Sequence, residues 1–225
     1  MKKYKKAITL LASALFVLQA GITASAEEKV IFSDDFDSYE NLYAMSDRWN
    51  LKECYEYCTV RGGAMHVKNR DGGAPVLCMP EGTVSKKITS GHVKITMDIL
   101  IENLGGTTYG IMSLVPEGVH DYGRYRVMEF YRDKEITCIR DSYYPENYVE
   151  IKPSKWYSIE GDFYPGEKSR FDIAVYDADG NRLGGYSREK ENCEGFLVDF
   201  TNINFTSWSD RDYAVDNLKI TYSDE

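Results

Sequence analysis

Three carboxylates stand close together in the stretch MEFYRDKE, and paired carboxylates are the groups that hydrolyse glycosidic bonds. The acids are Glu129, Asp133 and Glu135. A retaining glycosidase holds its nucleophile and its acid about 5 Å apart. Four residues of extended strand span about 13 Å, so Glu129 and Asp133 lie too far apart along one strand. These acids remain candidates for catalysis, but the sequence favours a binding protein over an enzyme.

Aromatic side chains are a second group with chemical potential, since the chain holds 18 tyrosines. Sugars present apolar C–H faces and hydroxyl rims, which suit flat rings flanked by polar side chains. We expect the rings to stack on a glycan, with Arg126 and Glu129 bonding its hydroxyls. The alternative is that several tyrosines merely cover edges of the core. The candidate ligand-binding residues are Tyr125, Arg126, Glu129, Tyr131, Tyr143, Tyr144, Tyr148 and Trp208.

Other catalytic arrangements are absent from the sequence. No G-x-S-x-G motif occurs, so a serine nucleophile on a strand-to-helix elbow is not indicated. The three histidines, His66, His92 and His120, are isolated and show no H-E-x-x-H spacing. The pattern therefore gives no support to a serine hydrolase or a zinc protease.

Period-two alternation of apolar residues identifies the elements that must position these side chains. The clearest segments are 92–102, 124–132 and 170–177. On the second, Met128 and Phe130 share one face, while the opposite face carries Tyr125, Val127, Glu129 and Tyr131. Turn residues separate the segments, as in DADGN at 177–181, where we expect a hairpin with Gly180 at positive φ. The sequence predicts an all-β fold, a two-sheet antiparallel β-sandwich of the jelly-roll type.

The first 26 residues have the layout of a secretory signal peptide. A basic start is followed by an apolar run and by the small residues Ala24, Ser25 and Ala26, after which cleavage is expected. Residues 27–225 then form one domain, which we expect to be secreted and monomeric, with no membrane association after cleavage. The net charge of −9 is unsuited to nucleic acid or anionic lipid.

Five cysteines follow the signal segment. Export permits disulfides, but an odd number leaves at least one thiol outside an intramolecular pair. The pairing cannot be assigned from the sequence, and we expect mostly buried thiols. The cysteines are Cys54, Cys58, Cys78, Cys138 and Cys193.

Three stretches together resemble the concanavalin A-like lectin/glucanase superfamily, in its laminin-G-like form. They are DDFDSY followed by RW near the start, KWYSIEGDFY with SRFDIAVYDADGNRLG past the middle, and YAVDNLKITY near the end. The resemblance implies a jelly-roll sandwich whose first and last strands are neighbours. It also places Trp49 and Trp156, which stand at strand starts, in the core. Glucanases of this superfamily carry an E-x-D-x-E strand, and here Tyr131 replaces the middle acid.

The resemblance further implies that acids from the two ends of the domain converge. Asp35 or Asp37 could then join Asp216 and backbone carbonyls around a structural Ca²⁺, which takes six to eight oxygen ligands. The alternative is that Asp34 and Asp35 shape Asx-turns and Asp216 caps the last strand. Both interpretations stay open at this point.

The sequence thus predicts a secreted, non-catalytic carbohydrate-binding protein whose partner is a polysaccharide or glycan. Two alternatives remain. One is a divergent glycoside hydrolase that uses Glu129 with Asp133 or Glu135. The other is an extracellular protein-recognition module, as some laminin-G-like domains are.

Overall fold

The computed structural model describes residues 28–46, 48–49, 58–68, 76–78, 88–104, 112–115, 126–132, 136–165, 170–189, 202–206 and 211–224. These ranges hold fourteen β-strands and one 3₁₀ turn at Leu42–Met45. The strands are β1 (Lys29–Asp34), β2 (Cys58–Arg61), β3 (Ala64–Lys68), β4 (Val76–Cys78), β5 (His92–Leu104), β6 (Met112–Val115), β7 (Arg126–Arg132), β8 (Thr137–Arg140), β9 (Tyr148–Glu150), β10 (Trp156–Tyr164), β11 (Arg170–Asp177), β12 (Arg182–Glu189), β13 (Asn202–Thr206) and β14 (Arg211–Ser223).

The strands form two antiparallel sheets, which confirms the predicted β-sandwich. Sheet A has eight strands in the order β12-β11-β10-β5-β14-β3-β2, with β1 paired to β14 beside this path. Sheet B has six strands in the order β4-β13-β6-β7-β8-β9. Within the described ranges, no helix is long and apolar enough to cross a membrane.

The alternation read from the sequence sets the inward face of sheet A. On β5 the residues at every second position are buried, and β11 repeats the pattern. A buried aliphatic or aromatic side chain contributes about 1.5–3 kcal/mol relative to an exposed one, so these faces supply much of the stability. The inward residues are Val93, Ile95, Met97, Ile99 and Ile101 on β5, and Phe171, Ile173 and Val175 on β11.

The hairpin between β11 and β12 has the predicted turn. Gly180 has a φ of 81°, a conformation that favours glycine. The Asp177 carboxylate accepts the backbone N–H groups of Asp179 at 3.0 Å and Asn181 at 2.9 Å. Hydrogen bonds from Asn181 lower the pKa of Asp177. The acids of DADGN therefore close a turn.

The first and last strands are neighbours, as the resemblance implied. β1 pairs with β14, and Asp34 lies opposite Leu218. Asp34 is buried and accepts hydrogen bonds from Trp49 Nε1 at 2.8 Å, the Tyr39 hydroxyl at 2.7 Å and the Phe36 backbone at 3.0 Å. Trp49 is also buried, as predicted. Asp34 thus joins β1 to the segment that follows it.

The contacts of Tyr39 with Asp34 make the free energy of unfolding sensitive to pH in the alkaline range. Burial, together with the hydrogen bond to Asp34 and its charge, raises the pKa of Tyr39 from 10.0 to about 12. A phenol with a raised pKa gives its full stabilisation below its unfolded pKa and loses it as the pH rises through its folded pKa. Stability should therefore fall between about pH 10 and pH 12.

We expect Tyr39→Phe to lower the free energy of unfolding by about 1–3 kcal/mol at pH 8, because a hydrogen bond to a buried carboxylate is lost. The same variant should lose stability less steeply than the wild type between pH 10 and 12. Urea denaturation at pH 8 and at several pH values between 10 and 12 measures these changes. Tyr43→Phe is the control, since Tyr43 is 70% exposed. Parallel alkaline profiles for wild type and Tyr39→Phe would contradict the prediction.

Trp156 departs from its predicted place in the core. It stands at the outward phase of β10 and is only partly buried, whereas its neighbour Tyr157 is buried. A residue at a strand start can fall on either face, so the motif alone did not determine its side.

Of the cysteines, Cys58 and Cys138 are buried and neither forms a disulfide, while Cys54 and Cys193 lie outside the described residues.

Candidate functional site

One outer face of sheet B brings several of the predicted binding residues together. Glu129 on β7 lies opposite Arg140 on β8, and Arg140 lies opposite Tyr148 on β9. Tyr131 follows Glu129 by two residues and points to the same face. Residues directly opposite on antiparallel strands have Cβ atoms about 4.5–5.5 Å apart, so these four side chains are neighbours. We call Glu129, Tyr131, Arg140 and Tyr148 the β7–β9 surface.

Arg140 organises the β7–β9 surface. Its Nε donates a hydrogen bond to Glu129 Oε1 at 2.7 Å, and its guanidinium carbon lies 3.9 Å from the centroid of the Tyr131 ring. The ion pair and the cation–π contact hold the guanidinium between an acid and an aromatic face. The Tyr131 ring therefore packs against the guanidinium, while Tyr148, which lies opposite Arg140 on β9, is 42% exposed. Arg140 was not among the binding residues predicted from the sequence.

Glu129 does not occupy the exposed position that the alternation predicted. Glu129 is only 3% exposed, and Val127 on the same face of β7 is also buried. The β7–β9 surface is thus exposed at Tyr148, partly buried at Tyr131 and closed at Glu129. The expectation that Glu129 bonds sugar hydroxyls directly is corrected, because its carboxylate lies buried and engages Arg140. Alternation shows on which face of a strand a side chain lies, but it does not show whether other residues cover that face.

The remaining candidates on this sheet fall partly outside the described residues. Asp133 and Glu135 lie outside them, so their distances to Glu129 are not defined. Tyr125 and Trp208 lie outside them as well. The backbone of Arg126 starts β7.

The tyrosine loop, residues 141–147, is anchored by a buried ion pair. Asp141 accepts Arg188 Nε at 2.9 Å and Arg188 Nη2 at 2.6 Å, and both side chains are almost completely buried. Asp141 also accepts the backbone N–H groups of Tyr143 at 2.7 Å and Tyr144 at 3.3 Å. Because Arg188 belongs to β12 of sheet A, this pair joins the loop to the opposite sheet.

Two of the predicted tyrosines cover this ion pair. The Arg188 guanidinium carbon lies 4.8 Å from the centroid of the Tyr143 ring and 5.9 Å from that of Tyr144. Tyr143 nevertheless remains 47% exposed, and Tyr144 is partly buried. The loop therefore combines the two roles considered from the sequence. One part of it shields buried charge, and the Tyr143 ring still offers surface to a ligand.

The charges of Asp35 and Asp37, near the start of the domain, act on Asp216 near its end. Asn217 has a φ of 50° and sits where the register between β14 and β5 shifts, and its Nδ2 donates to Asp98 Oδ2 at 2.9 Å. The pKa of Asp216 is raised by burial and by the charges of Asp98, Asp37 and Asp35. Asp216 on β14 therefore feels the negative charge of Asp98 on β5 and of Asp37 and Asp35, which follow β1.

The acids at this end also take part in local turns, as the alternative interpretation predicted. The backbone N–H of Phe36 donates to Asp34, and that of Asp37 donates to Asp35 at 3.3 Å. Across the described parts of the chain, no three His, Cys, Asp or Glu side chains form a group able to hold a metal ion. The acids at this end thus influence one another through their charges, and among the described residues they do not form a set of metal ligands.

Comparison with known proteins gives the fold and no family. No family model matches the chain, and no curated protein matches it significantly. A solved structure from work on endo-acting O-glycanases, which human gut microbiota express to initiate mucin breakdown, is 15% identical with a TM-score of 0.57. It is matched over 87% of this chain and 100% of that chain.

Two other solved structures show a similar arrangement. The CBM2 module of the evolved Dit protein of Lactobacillus casei BL23 phage J-1 is 8% identical with a TM-score of 0.56, covering 89% of this chain and 98% of that one. Peanut lectin is 10% identical with a TM-score of 0.53, covering 88% and 98%. At these identities the likeness concerns the fold alone.

Proposed function

We propose that this chain is a secreted, non-catalytic carbohydrate-binding protein with a laminin-G-like domain of the concanavalin A-like superfamily. The observation that carries the proposal is the β7–β9 surface, where Arg140 packs on the Tyr131 ring and lies opposite the exposed Tyr148. A fixed ring stacks on the C–H face of a sugar at little entropic cost. The fold is shared with a lectin and with a module named for carbohydrate binding, which adds support.

Glu129 favours binding over hydrolysis on this surface. A retaining glycosidase needs a nucleophile and an acid about 5 Å apart, both facing the substrate. Glu129 is buried and its Oε1 already accepts a hydrogen bond from Arg140. The hydrolase alternative requires reducing ends to appear in a polysaccharide digest and to disappear in Glu129→Gln. Release of reducing ends by the wild type but not by Glu129→Gln would favour the hydrolase alternative.

The binding proposal predicts that Tyr148→Ala and Tyr131→Ala each weaken glycan binding about tenfold. Loss of an aromatic stacking partner costs about 0.5–1.5 kcal/mol, and 1.4 kcal/mol corresponds to tenfold in Kd. A glycan array identifies the ligand, and isothermal titration calorimetry then measures the three affinities.

Tyr43→Ala is the matched control, because Tyr43 is an exposed tyrosine on the 3₁₀ turn and is not part of the β7–β9 surface. It should bind as the wild type does. Equal affinities for all four proteins would contradict the role of the β7–β9 surface. If no glycan binds and a pull-down recovers a protein that Tyr148→Ala fails to retain, the protein-recognition alternative is favoured.

We further propose that Asp35, Asp37 and Asp216 take up a structural calcium ion. The negative charges of Asp98, Asp37 and Asp35 that act on Asp216 support the proposal, since a divalent cation would offset them, and carboxylate oxygens are the ligands that Ca²⁺ prefers. A bound ion would supply positive charge that holds β1 against β14.

Calcium should therefore raise the melting temperature of the wild type. At a concentration 100 times its Kd, a ligand of the native state stabilises by about 2.7 kcal/mol. Asp216→Asn should abolish this increase. In chelator the same variant should be at least as stable as the wild type, because one repelling charge is removed. Differential scanning calorimetry with CaCl₂, MgCl₂ or EDTA makes the comparison. A calcium response that persists in Asp216→Asn would contradict the proposed ligand set.

The segment 1–26 supports export of the remaining domain, residues 27–225, and we propose that it acts outside the cell as a monomer. The negative net charge supports the absence of nucleic acid or anionic lipid among its partners. Sedimentation of the processed protein tests its monomeric state.

A further inference from the structure

Two adjoining depressions lie at one end of sheet A. The first, of about 530 Å³, opens between the β9–β10 connection and the β11–β12 hairpin. The second, of about 330 Å³, lies on the outer face of sheet A. Both are lined by Asp177 and Ala178, so they meet at the turn of the hairpin. Pockets for small ligands measure about 300–1,000 Å³. We call the two depressions together the hairpin groove.

We propose that the hairpin groove is a second saccharide-binding site, specific for a neutral oligosaccharide. It shares no residue with the β7–β9 surface. The proposal therefore does not depend on the function proposed for that surface, although the ligands belong to one chemical class.

Each depression contains a partly buried aromatic ring. Trp156 lines the first and Tyr176 lines the second. Ser158 on β10 is the strand partner of Tyr176 on β11, and Trp156 lies two residues before Ser158 on the same face. Trp156 and Tyr176 are therefore diagonal neighbours across two strands, within reach of each other for aromatic side chains. Two adjacent rings on a sheet can stack on successive sugar units.

The walls of the groove are held in place before a ligand binds. The Tyr157 hydroxyl accepts the Lys152 N–H at 2.7 Å and donates to the Lys152 carbonyl at 3.1 Å. On the opposite wall, Asp177 accepts the Asn181 N–H at 2.9 Å. Ordering a flexible loop on binding costs free energy that a preformed site avoids. Both loops that border the first depression are thus suited to bind without rearrangement.

The polar lining favours a neutral ligand over a charged one. Lys152 and Lys155 provide donors, while Glu150 and Asp179 provide acceptors, and all four are exposed. Within the described chain, no salt bridge joins either lysine to an acid. Sugar hydroxyls both donate and accept, so they can use every one of these groups.

The second depression is lined by the carboxylates Asp98, Glu160 and Asp177 and, among the described residues, by no basic one. Glu160 is paired with Lys94 at 3.3 Å, and Asp98 accepts the hydroxyl of Ser158 at 2.6 Å. An acidic polysaccharide would meet carboxylates in both depressions, and a cationic ligand would meet the two lysines of the first. An uncharged chain of sugars avoids both penalties.

Intrinsic fluorescence and calorimetry with defined oligosaccharides test the proposal. The probes are maltohexaose, cellohexaose, xylohexaose and mannohexaose, with hexagalacturonate as the charged comparison. At least one neutral hexasaccharide should change the tryptophan fluorescence of the wild type. Trp156→Ala and Tyr176→Ala should each weaken that binding about tenfold, while Val30→Asp leaves it unchanged.

Leu183→Asp provides a further variant in case Trp156→Ala fails to fold. Leu183 lines the groove and is 44% exposed, so an added charge there should weaken binding without a folding cost. Val30→Asp is the matched control, because Val30 is 51% exposed on β1 and lies outside the groove lining.

Three results would overturn the proposal. The first is the absence of any response to the four neutral probes, and the second is tighter binding of hexagalacturonate than of any neutral probe. The third is binding of a neutral probe that Tyr148→Ala weakens while Tyr176→Ala and Leu183→Asp leave it unchanged. The third result would support the β7–β9 surface and reject the hairpin groove, so the two proposals are distinguishable.

Discussion

Asp141→Ala should lower the free energy of unfolding by roughly 3–5 kcal/mol, since it removes one partner of a buried ion pair. Arg188 donates two hydrogen bonds to Asp141, at 2.6 and 2.9 Å, and both side chains are buried. Without this carboxylate the guanidinium keeps its charge in a place that water does not reach. The variant also removes the acceptor for the backbone N–H groups of Tyr143 and Tyr144.

Equilibrium denaturation in urea measures this effect, and two controls isolate its cause. Asp172→Ala breaks an exposed pair with Arg170, at 3.1 Å, and should cost less than about 1 kcal/mol. The double variant Asp141→Leu with Arg188→Met removes both buried charges. It should recover most of the loss, because apolar replacement of a whole buried pair is often close to neutral.

A double variant no more stable than Asp141→Ala would show that buried charge is not the cause. In that case the lost hydrogen bonds of the tyrosine loop would be the better explanation. Loss of glycan affinity in Asp141→Ala at a temperature where it remains folded would extend the role of this pair. It would mean that the ion pair positions Tyr143 for the ligand.

The layers of the fold were predictable from the sequence because alternation reports burial directly. The β5 residues Val93 to Ile101 alternate over the whole strand, and each inward member is buried. The DADGN turn was predictable for a local reason, since only glycine adopts positive φ at no steric cost. Both features depend on residues close together in the chain.

The supports of the candidate site were not predictable, because they join distant parts of the chain. Asp141 and Arg188 are 47 residues apart, and Glu129 and Arg140 are 11 apart on different strands. One signal was available for Arg188. It follows Tyr186 at the inward phase of β12, and an arginine on a core face requires a buried acid as partner.

Two positions were placed wrongly from the sequence, Glu129 by strand alternation and Trp156 by the family resemblance. Glu129 was predicted exposed and is buried, while Trp156 was predicted buried and is partly exposed. A strand pattern identifies the two faces but does not show whether loops cover the outer one. The outer faces of sandwiches are where ligands bind, so errors of this kind fall on the candidate sites.

Asp34 is the second residue whose removal should have a large effect, and it explains the acids within an apolar first strand. Asp34→Ala should cost roughly 3 kcal/mol or more, because each buried donor left without an acceptor costs about 1–3 kcal/mol. The donors are Trp49 Nε1, the Tyr39 hydroxyl and the Phe36 backbone N–H. Near-ultraviolet circular dichroism should also change, since the Trp49 indole loses its hydrogen bond.

Asp35→Ala is the matched control, one residue further along the chain. Asp35 is exposed and accepts the Asp37 N–H at 3.3 Å, so in chelator its loss should change stability by about 0.5 kcal/mol or less. Urea denaturation of the two variants separates their roles. Equal and small losses would mean that the hydrogen bonds of Asp34 contribute little. A large loss for Asp34 alone would show that this acid stabilises the fold, which leaves Asp35 and Asp37 as the acids available to a cation.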